Sequence, residues 1–428
     1  MGRGGARCCR APTGAGGKLD DAEQYGVPEG SMLRGWPQRR QKEILVTEGL
    51  ETLEEIREIN AAFPFTPHAR RWKEEGGKIV GWICNYVPEE IIHAAGAMPY
   101  RMTGDAHELE LEEATAYLSV YSCSYTRSCL ELALNKQYSF LDGIAASFMC
   151  DGTRRLADVL DIYGLIPLIY GFGVPRKYDP EAQRLYKIEV VRFRSELEKF
   201  LGVEISDDAI RRSIVLYNET RRLLQQLYDT RKADNPPISG AEVQEVMNAC
   251  VRIPRESFND LLKRLLAEIS RSGRELRAEA RLMIDGPILN NPEFIRGIEA
   301  LNGLVVVDAL CTGQRYWDGT VDTGLDPLTG LSEYYLNKFS CPRMFPPQKR
   351  LETEAKLIKD YRVDGVICQI IRYCNTHIWD YPLLKERVEE LGVPVLQLDL
   401  EYGSAASGQI KTRAQAFIET IMERKGAA

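Results

Sequence analysis

Eleven cysteines punctuate a chain of 428 residues, and nine of them lie in its body: Cys84, Cys123, Cys129, Cys150, Cys311, Cys341, Cys368 and Cys374, with Cys250 apart from the rest. Thiolates are soft ligands that select zinc, Cu(I) or iron–sulfur clusters. Structural zinc sites bring their ligands as close pairs two to four residues apart, whereas Cys123 and Cys129, like Cys368 and Cys374, are six apart. Iron–sulfur ligation by scattered thiols suits this spacing better. Most of these cysteines fall where an apolar run ends, and open α/β sheets bind ligands in the crevice outside the carboxyl ends of their strands. Taken singly, each is also satisfied as a small buried hydrophobe; that reading is assigned to Cys250 and to Cys368, which sits inside an apolar run.

The acid–base inventory is thin. The histidines are His68, His93, His107 and His377, too few for a case built on imidazole ligands or a Ser-His-Asp hydrolase. His93 lies in the segment after Cys84 and His377 three residues after Cys374, so both are candidate proton donors beside the thiols. Glu90, with Glu89, could act likewise, although acids in a helix's first turn are sufficiently explained by its dipole. Gly14-Ala15-Gly16-Gly17-Lys18 imitates a phosphate loop, but Pro12 stands in place of its first glycine and Leu19 follows the lysine where Ser or Thr is needed. Helix starts at Asp151-Gly152-Thr153 and Asn291-Pro292-Glu293 could receive an anionic group.

A net charge of −7 leaves no electrostatic footprint for nucleic acid. No window offers the roughly 18 uninterrupted apolar residues of a membrane span, and residues 1–18 lack the apolar stretch of a secretory signal. The expected compartment is the cytoplasm, where thiols stay reduced and eleven cysteines cannot all pair.

Residues 1–40 are rich in Gly, Pro and Arg and read as a flexible arm, with Cys8 and Cys9 incidental within it. Residues 41–181 read as a first α/β domain with an N-terminal helix over 43–60. Its strands are expected at 78–84, 98–102, 140–147 and 165–172, and one helix over 114–134 carries Cys123 and Cys129. Residues 182–280 are a helical section, broken at Asn235-Pro236-Pro237 and restarted by the capping-box pattern Ser239-Gly240-Ala241-Glu242. Residues 281–428 form a second α/β domain with strands at 281–286, 304–311, 363–371 and 393–399. Strands alternating with helices imply two mostly parallel-sheet α/β domains, and the cleft between them is the expected ligand site. Leu141-Asp142-Gly143-Ile144 in the first is echoed by Val363-Asp364-Gly365-Val366 in the second.

Gly81-Trp82-Ile83-Cys84-Asn85-Tyr86-Val87-Pro88-Glu89-Glu90 followed by Ala94-Ala95-Gly96-Ala97-Met98-Pro99 resembles the opening motif of the 2-hydroxyacyl-CoA dehydratase and benzoyl-CoA reductase subunits. Leu141-Asp142-Gly143 with Cys150-Asp151, Asp308 through Tyr316, Asp364-Gly365-Val366-Ile367 with Tyr373-Cys374, and the terminal Gln409 through Phe417 extend the likeness from about residue 75 to the C-terminus. The resemblance implies a subunit that receives low-potential electrons from a separate ATP-hydrolysing iron–sulfur activator, works as a homodimer or beside a related subunit, and acts on a small molecule or an acyl-CoA. In the dehydratases three cysteines hold one [4Fe-4S] cluster, and Cys84, Cys123 and Cys374 match that set. One branch holds a double-cubane [8Fe-9S] cluster on six cysteines and reduces small molecules; the matching set here is Cys84, Cys123, Cys129, Cys311, Cys341 and Cys374. Cys150 is the reserve ligand, because a helix N-terminus lowers a thiol pKa. The surplus thiols favour this branch over the acyl-CoA enzymes. The reading from another class is a two-lobed binding module without chemistry.

Overall fold

Short, mostly apolar runs become eight strands in the computed structural model, which describes residues 49–107 and 109–427. These residues fall within one compact unit, Ile44–Ala428. The arm, the phosphate-loop imitation and residues 43–48 of the expected first helix lie outside the described residues.

The first lobe runs α1 (Glu51–Ala61), α2 (Pro67–Glu74), β1 (Ile79–Ile83), α3 (Glu89–Ala94), β2 (Met98–Arg101), α4 (Glu112–Thr115), α5 (Ser124–Leu134), β3 (Gly143–Ser147), α6 (Asp151–Ile162) and β4 (Leu168–Phe172). Four helices follow: α7 (Pro180–Leu201), α8 (Asp207–Thr230), α9 (Gly240–Cys250) and α10 (Arg255–Ser272). The capping box at Ser239 forms as expected, and every residue of α9 is buried. The second lobe runs β5 (Ala280–Asp285), α11 (Pro292–Glu299), β6 (Gly303–Ala309), α12 (Gln314–Trp317), α13 (Pro327–Asn337), α14 (Gln348–Asp360), β7 (Gly365–Ile371), α15 (Asn375–Glu389), β8 (Val395–Leu400) and α16 (Gly408–Ala427). No helix among the described residues is long and apolar enough to cross a membrane.

Both sheets are parallel and four-stranded, and their orders correspond: β2-β1-β3-β4 and β6-β5-β7-β8. In each, the order reverses beside the first strand, creating a switch-point crevice at the carboxyl edge. The sequence echo marks the third strand of each sheet and has one physical role. Asp142 accepts from the Ile79 amide at 2.8 Å and Asp364 accepts from the Arg281 amide at 2.8 Å, each fixing the start of the neighbouring strand. Gly143 and Gly365 lie where a Cβ would strike a covering side chain, Ile169 at 2.8 Å and Ile421 at 2.5 Å.

The expected single helix over 114–134 is instead α4, a bend and α5. In the bend the Ser119 hydroxyl accepts from the Tyr121 amide at 3.2 Å, a local bond that competes with helix continuation. Cys123 therefore stands just before the start of α5 and Cys129 lies inside it, so the two have different surroundings.

Candidate metal centre

The carboxyl edges of the two sheets enclose a cavity of about 190 Å³. Six thiols line it, three from each lobe: Cys84 after β1, Cys123 before α5, Cys150 before α6, Cys311 after β6, Cys341 after α13 and Cys374 after β7. They form a continuous run. Cys123 bears on Cys374, Cys374 on Cys150, Cys150 on Cys84, and Cys84 and Cys341 on Cys311.

Local structure explains their placement. Cys84 adopts a left-handed backbone with φ 78°, a conformation that non-glycine residues keep mainly where the surroundings impose it, often at functional sites. Cys150 and Cys374 hold the same position in their lobes, before the helix that follows the third strand. The Cys150 sulfur accepts from the Thr153 amide at 3.4 Å, capping α6. Three bonds tie the lobes together at the thiols. Asn85 Nδ2 and an Arg101 guanidinium N–H donate to the Cys311 carbonyl, each at 2.9 Å, and the Cys341 amide donates to the Tyr86 hydroxyl at 3.2 Å.

The loop that carries Cys311 rests on Gly286. The Cys311 amide donates to the Pro287 carbonyl at 2.9 Å, and Arg315 donates to the Gly286 carbonyl at 3.1 Å while pairing with Asp285 at 3.0 Å. Gly286 has φ 150°, and a Cβ there would stand 2.2 Å from the Gln369 carbonyl oxygen. Gly286→Ala is expected to destabilise the fold by about 1–3 kcal/mol, read as a lowered urea midpoint.

Four thiols of the ring are raised, burial contributing to each. Cys84 is pushed up to about 11 by desolvation, against an opposing bond at the Tyr86 backbone. Cys150 was expected to be lowered by its helix terminus; desolvation instead raises it, outweighing its two bonds with Thr153. Cys341 is raised by burial beside Cys311, and Cys374 by its bond with Cys123 and by burial. These thiols would be neutral at pH 7 when free, so loading metal must expel their protons.

The ring holds one substitution relative to the six cysteines expected. Cys129 is fully buried in α5, in the apolar cluster with Tyr125 and Tyr138, and does not line the cavity, whereas Cys150 does. Cys250 and Cys368 are core residues: the first accepts from Arg255 at 3.0 Å and the second donates to Asp285 at 3.7 Å.

Of the three expected proton donors, two stand elsewhere. Glu90 is buried against Arg221 and the Tyr335 hydroxyl, and His93 bonds Ser213 and Glu256, each at 3.0 Å, against the helical section. His377 lines the cavity, and burial together with the Arg315 and Arg350 charges holds its imidazole well below the usual range. Four cations also stand on the wall, none of them among the expected site residues: Arg101, Arg315, Lys338 and Arg343. The spacing of Arg315, four residues after Cys311 on α12, is the one available signal; its guanidinium reaches the Cys311 sulfur at 3.9 Å.

Among the described residues no three His, Cys, Asp or Glu side chains converge tightly enough to grip a single ion. Six soft donors ringing a mostly apolar cavity fit a polynuclear iron–sulfur group better than one zinc.

The family model for the 2-hydroxyglutaryl-CoA dehydratase D-component matches residues 84–421, beginning at the first thiol of the ring. A benzoyl-CoA reductase subunit of Thauera aromatica is 30% identical over 82% of this chain and 94% of its own. The lactoyl-CoA dehydratase beta subunit of Anaerotignum propionicum is 28% identical over 82% and 94%. The (R)-2-hydroxyglutaryl-CoA dehydratase beta subunit of Acidaminococcus fermentans is 23% identical over 86% and 98%. With a model spanning the cavity from Cys84 through both lobes, this chain belongs to the 2-hydroxyglutaryl-CoA dehydratase D-component family.

Proposed function

We propose that this protein is a cytoplasmic iron–sulfur reductase of small molecules, in which Cys84, Cys123, Cys150, Cys311, Cys341 and Cys374 hold a double-cubane [8Fe-9S] cluster. The observation that carries the reading is the ring itself, three thiols from each lobe on one cavity. When bound, the cluster supplies single electrons at low potential. Arg315 and Arg101 fix the Cys311 loop and place positive charge beside the thiolates, which favours the electron-rich form. The apolar wall, with Ile83, Ile288 and Ile371, excludes water. The electron source in this proposal is a separate ATP-hydrolysing iron–sulfur activator, and the working form is a homodimer.

The names of the relatives favour a second reading, a [4Fe-4S] subunit of an acyl-CoA dehydratase or of a benzoyl-CoA-type reductase. Six cavity thiols, where three would suffice for one [4Fe-4S] cluster, favour the first reading over it. Iron and sulfide measured on anaerobically purified protein test the proposal: about eight irons per chain are expected for the double cubane. About four would restore the single-cluster reading, and a colourless preparation without iron would leave a binding module or zinc. Cys84→Ser and Cys374→Ser should lose iron, whereas Cys250→Ser should retain the wild-type content.

A further inference from the structure

The reduction just proposed consumes protons as well as electrons, and the wall of the cavity offers an ammonium. Lys338, at the C-terminal end of α13, lines the cavity and is 8% exposed. Its Nζ donates to the Tyr316 carbonyl at 3.1 Å and lies 4.5 Å from the Tyr335 ring centroid and 5.3 Å from that of Tyr334.

The charges around it are otherwise committed. On α3, Glu89 is held by Arg255 of α10 at 2.9 Å and by the Tyr316 hydroxyl of α12 at 2.6 Å. Glu90 is held by Arg221 of α8 and by the Tyr335 hydroxyl at 2.7 Å. Two carboxylates face two guanidiniums, which leaves the Lys338 ammonium as the surplus charge. Asp318 also faces it, but burial raises that carboxyl and Gln314 bonds it at 3.5 Å. Cys84 faces it from the end of β1. Burial, reinforced by the Arg221 charge, pulls the Lys338 ammonium down to about 7 against the attraction of Glu90 and Glu89.

A separate cavity of about 10 Å³, room for one water, is lined by Tyr217, Thr220, Arg221, Tyr316 and Trp317. The Tyr217 hydroxyl and the Trp317 indole N–H are buried beside it and bond no group among the described residues. Tyr217 packs edge-on against His93, which is partly exposed.

We propose that Lys338 couples electron entry to proton entry: its amine takes up one proton for each electron received at the thiol ring, and surrenders that proton to the substrate with the electron. The inference rests on the redox-cluster reading above. The balance is simple. A one-electron, low-potential reductant supplies the electron, solvent supplies the proton, and only an N–H bond forms on uptake; that bond breaks on delivery, and both particles leave for the substrate. The added electron is the counter-charge that the ammonium lacks at rest.

The test uses the full chain, purified anaerobically with its iron, and an electrode with mediators in place of the activator. The midpoint potential is followed by visible absorption from about pH 6 to pH 9, across the range where a lowered lysine titrates. Wild type should show a tenfold shift in the reduction equilibrium per pH unit over part of this range, about 59 mV for one electron. Lys338→Met and Lys338→Arg should both flatten the dependence, the arginine because its charge is permanent. His377→Gln should preserve it. A flat wild-type profile, a slope that survives in iron-replete Lys338→Met or Lys338→Arg, or a slope lost in His377→Gln overturns the proposal. Wild type that carries no iron overturns the cluster reading itself, so the two failures are distinguishable.

Discussion

Cys150→Ser is expected to cost the protein about half of its iron or more while leaving its fold almost intact, and Cys129→Ser is expected to do the reverse. Serine is as good an N-cap as any residue, so the introduced hydroxyl could accept from the Thr153 amide as the Cys150 sulfur does now at 3.4 Å. Stability should change by less than about 1 kcal/mol, yet a soft donor is removed from the middle of the thiol run, between Cys374 and Cys84. Cys129, by contrast, is packed in an apolar cluster. A hydroxyl at that site without a full set of partners should cost about 1–3 kcal/mol, with the iron content unchanged in the folded fraction. Iron per chain and the urea midpoint, measured on both variants, separate the two roles. Full iron in Cys150→Ser would remove that thiol from the proposed ligand set, and iron loss from folded Cys129→Ser would return to the six cysteines that the family resemblance implies.

Cys129 resembles a ligand in the sequence for a definable physical reason. Buried parallel strands announce themselves as unbroken apolar runs, and β1, β3, β6 and β7 are legible that way, whereas β2 carries Pro99 and Arg101 and the edge strands β4 and β8 are only partly buried. The thiols that follow a strand, Cys84, Cys311 and Cys374, are legible with them. Cys123 and Cys129 fall on one long amphipathic pattern, and periodicity does not show the bend after α4 that puts Cys123 at a helix tip and Cys129 inside a core. Cys150 is visible as a helix start, but a helix terminus predicts a lowered pKa, the wrong direction once burial is counted. The acid–base candidates fail for another reason. Glu90 looks like a free first-turn acid because its cation, Arg221, is 131 residues away. Lys338 carries no signal at all, since its surroundings are assembled from α3, α8, α12 and α13.

That same long-range pair sets the second large effect. Arg221→Met should destabilise the protein by about 3–5 kcal/mol at neutral pH, the cost of leaving a buried carboxylate without its counter-ion. Burial by itself raises the Glu90 carboxyl; in the native protein the Arg221 charge and the Tyr335 hydroxyl outweigh it and hold the group below its ordinary value. The sign of the pH dependence should therefore invert. In wild type Glu90 binds a proton less readily folded than unfolded, so its contribution is present above the unfolded pKa of about 4.3 and fades as pH falls through the folded value. In Arg221→Met burial dominates, the folded pKa lies above the unfolded one, and the contribution of Glu90 falls as pH rises between them. Urea midpoints at about pH 7 and about pH 5 should then show the deficit of Arg221→Met shrinking at the lower pH. Adding Glu90→Gln to Arg221→Met should recover part of the loss, because the two residues share one interaction and their effects are not additive. A deficit under about 1 kcal/mol at neutral pH, or one that grows on acidification, would mean that Glu90 is held by something other than Arg221.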